Sequence, residues 1–198
     1  MKLPLLSSVF IFIIWLAYEI RKHRRIETKP LQEFLARERE ADNTPAKPMD
    51  DLQYITIPWE ELPVQALPED PEVQDALEII GNLRDAKIVN LTGFSNTDLK
   101  LRYGAPNIFR LMSWDQNYTV LARTLQKWGA RLMDKGLTEE GVQVLEFALK
   151  TRTDVYGTYE RLNGYYQEKG MEEKRQGMIR TAEGLESMRK EQILGMLR

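Results

Sequence analysis

This 198-residue chain has no cysteine, and the residues whose grouping invites a chemical reading are two pairs of carboxylates, a cluster of tyrosines and one histidine. That absence removes thiolate catalysis, disulfide frameworks and Cys-based zinc sites together. His23 stands inside the basic run Arg21-Lys22-His23-Arg24-Arg25, where neighbouring cations disfavour both its protonation and a bound metal. Glu139-Glu140 and Glu172-Glu173 have the look of paired acid and base groups. Each pair falls in the first turn of a predicted helix, however, where the helix dipole favours acids without any chemistry. Tyr156, Tyr159, Tyr165 and Tyr166 cluster in one predicted helix. Helical spacing buries Tyr159 and Tyr166 and turns Tyr165 outward as a contact residue. There is no glycine-rich phosphate loop, no cluster with metal-ligand spacing and no nucleophile beside a base. The expectation is a protein that is not an enzyme, with no cofactor, no metal and no small-molecule substrate.

The charge pattern narrows the partners. Residues 1–31 carry six Lys or Arg against two acids, and residues 32–86 carry four against fourteen, about +4 and −10. From residue 116 onward, fourteen basic groups stand against twelve acidic ones. No basic face of the size that phosphate neutralisation requires is visible, so nucleic acid is not expected.

Residues Leu3 to Tyr18 are uncharged, and sixteen residues make roughly 24 Å of helix. Extended from Met1 to about Arg21, the run reaches the length of a single transmembrane anchor, about 20 residues. Trp15 and Tyr18 suit an interfacial aromatic belt, and Arg21, Lys22, Arg24 and Arg25 form the basic membrane flank. A cleaved signal peptide is the competing reading, but Trp15 stands two positions before Ala17, where a peptidase prefers a small residue, and the following sequence is strongly basic. The positive-inside rule then predicts a cell-membrane protein with its amino terminus out and its carboxy-terminal domain in the cytosol.

Residues 22–70 read as a basic juxtamembrane segment, a short helix over Pro30 to Glu40 with proline in its first turn, and an acidic linker. Six of the nine prolines fall between Ala41 and Pro71, which disfavours helix there. Within that linker Tyr54-Ile55-Thr56-Ile57-Pro58-Trp59 is apolar enough to lie on the domain as an extended strap. Asp70-Pro71-Glu72 has the form of a helix start. The apolar spacing of Val73, Ala76, Leu77, Ile80 and Leu83 continues it. A short extended piece over Ile88–Gly93 follows, then a helix from Asn96 to about Tyr103, interrupted at Gly104-Ala105-Pro106. Asn90-Leu91-Thr92 and Asn117-Tyr118-Thr119 match the glycosylation sequon, by chance if the domain is cytosolic.

Beyond Tyr118 the chain matches itself at a period of about 34 residues. Leu132 pairs with Tyr166, Gly136 with Gly170, Leu145 with Ile179 and Ala148 with Ala182. Both units read as helix, glycine C-cap, tight turn and an acid-rich helix start. These residues, with Trp128, Gly129 and Leu162, resemble the tetratricopeptide repeat family. Gly141 and Arg175 stand where that family usually has alanine, and Thr153 stands where a proline closes the first unit.

With the single transmembrane helix over 1–21 and the linker read above, the expected fold is all-α, and the resemblance implies antiparallel helix pairs within 71–198. Repeats are expected at about 122–155 and 156–188, with a capping helix to residue 198 carrying Met188, Ile193, Leu194 and Leu197. It further implies a partner-binding groove lined by Arg123, Gln126, Lys127, Ala130, Asp134, Glu160, Arg161, Gly164 and Glu168, with Gly157 and Gly164 leaving the second helix flat. The Lys/Asn clamp for chaperone tails is not recognisable. The expected function is a membrane-anchored adaptor that binds a protein or peptide. The alternative is a structural or accessory subunit held in a membrane complex by its transmembrane helix. The layout is similar to that of small membrane-anchored bacterial proteins.

Overall fold

The computed structural model describes the backbone of residues 3–198 and the side chains of residues 11–19 and 30–198. The described chain is helical: α1 Leu3–Asp42, α2 Pro71–Leu83, α3 Asn96–Tyr103, α4 Ile108–Asp134, α5 Thr138–Lys150, α6 Tyr156–Glu168, α7 Glu172–Glu183 and α8 Lys190–Leu197. Short 3-10 turns lie at Trp59–Glu61 and Ala105–Asn107. Extended pairing among the described residues is limited to an isolated bridge between Tyr54 and Val89. The chain divides into two compact units, Met1–Lys47 with Asn96–Asn107, and Pro48–Ser95 with Ile108–Arg198.

In the first unit α1 is one continuous helix with Pro30 inside it. The predicted separate helix starting at Pro30 is therefore corrected. A proline within a helix forfeits one hydrogen bond and crowds the preceding turn, but it need not end a helix when strongly helical sequence follows it. Leu31-Gln32-Glu33-Phe34-Leu35-Ala36-Arg37-Glu38 is such a sequence. Helix α3 lies along the last turns of α1, where Ala41 and Leu99 are buried. Arg37 pairs with Asp98 at 2.6 Å and Lys100 with Asp42 at 2.6 Å, and the Thr97 hydroxyl donates to Glu38. Lys47 then ties the chain after α1 to the end of α3, its amide donating to the Tyr103 carbonyl at 2.9 Å and its ammonium to the Leu101 carbonyl at 2.7 Å. What reads in sequence as a short helix followed by linker is a helix end with its own small clamp.

Among the described residues no helix is long and apolar enough to cross a membrane. Most of the predicted span, and all four cations of its basic flank, fall on residues whose side chains lie outside those described. The nine described residues of that stretch include Ile11, Phe12, Ile13, Ile14, Trp15, Leu16 and Tyr18, all exposed.

The second unit is organised around α4. Asp70 caps α2 by accepting from the amides of Glu72 and Val73 at 3.1 and 3.3 Å, and Pro71 takes the first turn, as the sequence predicts. Val73, Ala76, Ile80 and Leu83 bury one face of α2 against Tyr118, Leu121, Leu125 and Trp128 of α4. The Tyr54–Trp59 stretch lies on this core as the expected strap: Ile57 and downstream Leu62 are buried, and the Ile55 amide donates to the Ile88 carbonyl at 2.9 Å. Helix α4 is longer than the sequence pattern indicates. It starts at Ile108, and exposed Phe109 and Met112 blur the apolar periodicity of its first turns.

The two glycines that the offset pairs take the same conformation. Gly136 and Gly170 adopt φ of 85° and 66°, the left-handed backbone that ends a helix without a steric penalty. After Gly136 the Leu137 amide reaches back to the Leu132 carbonyl at 3.0 Å, and after Gly170 the Met171 amide reaches the Tyr166 carbonyl at 2.8 Å. Both α4–α5 and α6–α7 thus turn through the same hydrogen-bonded cap, and α6 packs against α4, α5 and α7. Helix α8 opens at Lys190, one repeat period beyond Tyr156 at the start of α6, and packs on α6 and α7 through Ile193, Leu194 and Leu197. Met188, grouped with those residues in the sequence, is corrected: it lies before α8 and is fully exposed.

Candidate functional site

Helical geometry gathers side chains three and four apart onto one face. On α4 that rule places Arg123, Gln126, Lys127, Ala130 and Asp134 in a single stripe, and on α6 it does the same for Gly157, Glu160, Arg161, Gly164 and Glu168. Arg123, Lys127, Asp134, Glu160, Gly164 and Glu168 are exposed, whereas Gln126, Ala130 and Arg161 are half-buried.

Two contacts knit the stripes together. Arg161 donates to both carboxylate oxygens of Asp134, at 2.6 and 3.3 Å, and the Gln126 amide lies against Gly157, where an added Cβ would come within 2.8 Å of it. Gly157 is therefore covered from within the chain, and only Gly164 keeps the open flank predicted for both. A Cβ at Gly164 would meet nothing within 4 Å. The exposed Asp134–Arg161 pair adds at most about 1 kcal/mol to stability, so its main effect is to hold both ends in place. Arg123, Lys127, Glu160 and Glu168 make no ion pair among the described residues. Of the predicted membrane-interface residues, Trp15 and Tyr18 are exposed on α1. Arg21, Lys22, Arg24 and Arg25 lie outside the described side chains.

Tyr159 and Tyr166 are buried as their spacing predicts, whereas Tyr165 departs from its expectation. Tyr165 is buried, not outward, and its hydroxyl donates to Glu139 at 2.6 Å across the junction of the two pairs. That bond, joined by burial, pushes the phenol up to about 12. Tyr166 donates to Glu146 at 2.8 Å, and Lys174 reaches the same carboxylate oxygen at 2.7 Å. Burial and then Glu146 raise the Tyr166 phenol well above its ordinary range. Glu139 thus has a hydrogen-bonding task besides its place in a helix first turn, a task invisible to spacing within one helix.

Three further groupings are not visible in the sequence pattern. Arg131 donates to Asp70 through Nε at 3.0 Å and Nη2 at 2.9 Å, and pairs with Glu72 through Nη1 at 2.9 Å, so α4 is stapled to the start of α2. The Arg131 hydrogen bond, ahead of the capping amides, holds the Asp70 carboxyl below the usual carboxylate range. A helix N-terminus that starts Asp-Pro-Glu is acidic enough to suggest a cationic partner. Around the α5–α6 turn, Tyr118 donates to the Thr151 carbonyl at 3.3 Å, Tyr159 to the Thr153 carbonyl at 2.8 Å, and Asn90 to the Thr151 and Arg152 carbonyls. Nearby Asp115 accepts from the Leu91 amide at 2.9 Å, while burial lifts its carboxyl above the ordinary value. Buried Thr153 thereby supplies a hydrogen-bonded corner where the resemblance expects proline. The amides of both sequon asparagines are engaged internally, Asn117 donating to the Lys87 carbonyl at 3.0 Å.

The third grouping explains the two departures from alanine. A Cβ on Gly129 would come within 2.6 Å of Leu145, and one on Gly141 would collide with Met133 and sit 2.6 Å from the Gly129 carbonyl. Helices α4 and α5 are so close that even alanine does not fit. In the second pair the equivalent positions hold Asn163 and Arg175, joined by a 2.9 Å hydrogen bond, and Arg175 also donates to the Leu197 carbonyl of α8 at 2.6 Å.

Among the described residues no three His, Cys, Asp or Glu side chains are placed to hold a metal ion. Along the α4 and α6 stripes the chain presents exposed charges and, at Gly164, open space. No protein-family model matches the chain, and no curated protein or solved structure matches it either.

Proposed function

We propose that this chain is a membrane-anchored adaptor whose helix-pair domain, of tetratricopeptide-like design, binds a protein or peptide along the α4 and α6 stripes. The observation that carries the reading is a set of four exposed charges, Arg123, Lys127, Glu160 and Glu168, without an ion pair among the described residues and beside a glycine with open space over it. Charged groups left without internal partners on a rigid, capped scaffold are available to an incoming chain, and they give it orientation and selectivity. The reading is non-enzymatic, with no cofactor, nucleic acid or small-molecule substrate.

The anchor half of the proposal rests on residues 1–21 and the cationic flank after them, with the domain on the cytosolic side. It is supported by the uncharged run Leu3–Tyr18 and by the exposure of seven large apolar side chains between Ile11 and Tyr18, spread over more than one turn and so around the helix. The same exposure favours the second reading, an accessory subunit held in a membrane complex by α1.

Crosslinking and affinity capture from native membranes separates the two. The full chain is compared with a fragment beginning at Pro30, which keeps the α1 residues that hold α3. Recovery of the same partner by both, lost on Arg123→Glu with Lys127→Glu, is the result the adaptor reading expects. Recovery of integral membrane proteins by the full chain alone would refute the stripes as the binding surface and leave the subunit reading.

A further inference from the structure

The charges on the candidate face are segregated by helix. Within the α4 stripe the groups without an ion pair among the described residues are cations, Arg123 and Lys127, one turn apart, while within the α6 stripe they are acids, Glu160 and Glu168. The oppositely charged member of each stripe is withdrawn from the balance, because Asp134 and Arg161 neutralise each other at 2.6 Å. What remains is a positive stripe beside a negative one. Scattered charges of a merely solvated surface have no reason to sort in this way, and an ion pair that removes the minority charge from both helices sharpens the sorting.

Helix α8 extends the same face. It starts one repeat period after α6 and packs on it, so Glu191 stands in the phase of Gly157, Gly195 in that of Arg161 and Arg198 in that of Gly164. Glu191 and Arg198 balance, leaving the asymmetry between α4 and α6 intact. Gly195, like Gly164, is exposed and would give an added Cβ nothing to touch within 4 Å. Neither glycine has the positive φ of the caps at Gly136 and Gly170. Each sits in a helix that alanine would stabilise, and an approaching backbone is what benefits from a missing side chain there.

Resting on the adaptor reading above, we infer that the face takes an extended peptide segment whose acidic and basic residues are sorted into two adjacent blocks. The peptide crosses the helices, with its acidic block over Arg123 and Lys127, its basic block over Glu160 and Glu168, and its backbone close to Gly164 and Gly195. A uniformly acidic or uniformly basic segment meets repulsion on one of the two helices. One with alternating signs never places a run of like charge on either.

The test uses the full chain in detergent and short fluorescent synthetic peptides of equal length: glutamates followed by lysines, the same residues alternating, and all-glutamate and all-lysine controls. Binding is followed by fluorescence anisotropy at low salt. The block peptide is expected to bind about fivefold more tightly than the alternating one, as two or more exposed ion pairs supply, with the preference fading as salt is added. Arg123→Glu with Lys127→Glu should abolish the preference. Gly164→Leu with Gly195→Leu should weaken the block peptide while leaving the melting temperature unchanged or raised, since both positions are open. Equal binding of block and alternating peptides, or binding untouched by the leucine pair, overturns the inference. If the captured partner is lost from the Arg123/Lys127 variant while block and alternating peptides bind alike, the adaptor reading survives and only the charge order fails. Absence of both effects ends both.

Discussion

The α4–α5 pair closes backbone to backbone at Gly129 and Gly141, whereas the α6–α7 pair closes side chain to side chain through Asn163 and Arg175. The positions are equivalent, one repeat period apart, and the turns that follow use the same glycine cap. The difference lies in what each pair must do next. The first is flanked on both sides, by α2 and by α6, and gains most from dense apolar packing around Trp128 and Leu132. The second has only α8 beyond it, and Arg175 turns its second donor to the α8 carbonyl at Leu197. A repeat inside the stack is fastened by shape, and a repeat at the end by a polar pin that also holds the cap.

Forcing a side chain into the first pair is expected to have the largest effect. Gly129→Leu should destabilise the second unit by about 3 kcal/mol, the upper range for overpacking, and urea unfolding followed by circular dichroism would read it. The matched change at the end of the stack is gentler. Arg175→Ala should cost about 2 kcal/mol, as expected for hydrogen bonds from a charged donor to buried acceptors. Its signature is local: hydrogen exchange should quicken in α8 and stay unchanged in α4 and α5. Arg175→Lys should not rescue it, because one ammonium cannot span both Asn163 and the Leu197 carbonyl as the guanidinium fork does.

How much of this is legible in the sequence follows from where each partner lies. The helix start at Asp70-Pro71, the α3 boundaries and both glycine caps are readable because capping and breaking are local events. The repeat offset is readable because like residues recur. Tyr165 reads as outward because its partner Glu139 sits on another helix, and Met188 reads as core because it precedes the helix whose periodicity it imitates. Pro30 reads as a beginning, although α1 runs through it into the helix-forming sequence Leu31–Glu38. Arg175 looks like a defect in a motif until its two acceptors are in view. Of the candidate face, the stripes themselves follow from spacing, but the Asp134–Arg161 pair that leaves the remaining charges sorted does not.

Two smaller effects sharpen the contrast between the ends of the second unit. Asp70 has its carboxyl held below the ordinary range by Arg131, so its contribution is present above the unfolded-state value and is lost as pH falls through the folded one. Asp70→Asn keeps a capping side chain but removes that linkage. The stability gap between the native chain and this variant, from denaturation curves at stepped pH, should be full at neutral pH and shrink as the medium is acidified below the carboxylate range. Smallest, and of opposite sign, is Gly164→Ala, which should stabilise the fold by at most about 1 kcal/mol, seen as a small rise in Tm. A loss of stability there would mean that Gly164 is packed against something.

The central claim, that the α4 and α6 stripes are the working surface, is tested most directly by placing a photo-crosslinking amino acid in the full chain, one site at a time, at Lys127, Gly164 and Phe34, and irradiating native membranes. One discrete adduct is expected, shared by Lys127 and Gly164 and absent from Phe34, with the crosslinked peptide carrying acidic and basic blocks. Adducts formed only from Phe34 on α1, with Lys127 and Gly164 silent, would contradict it and assign recognition to the amino-terminal helix.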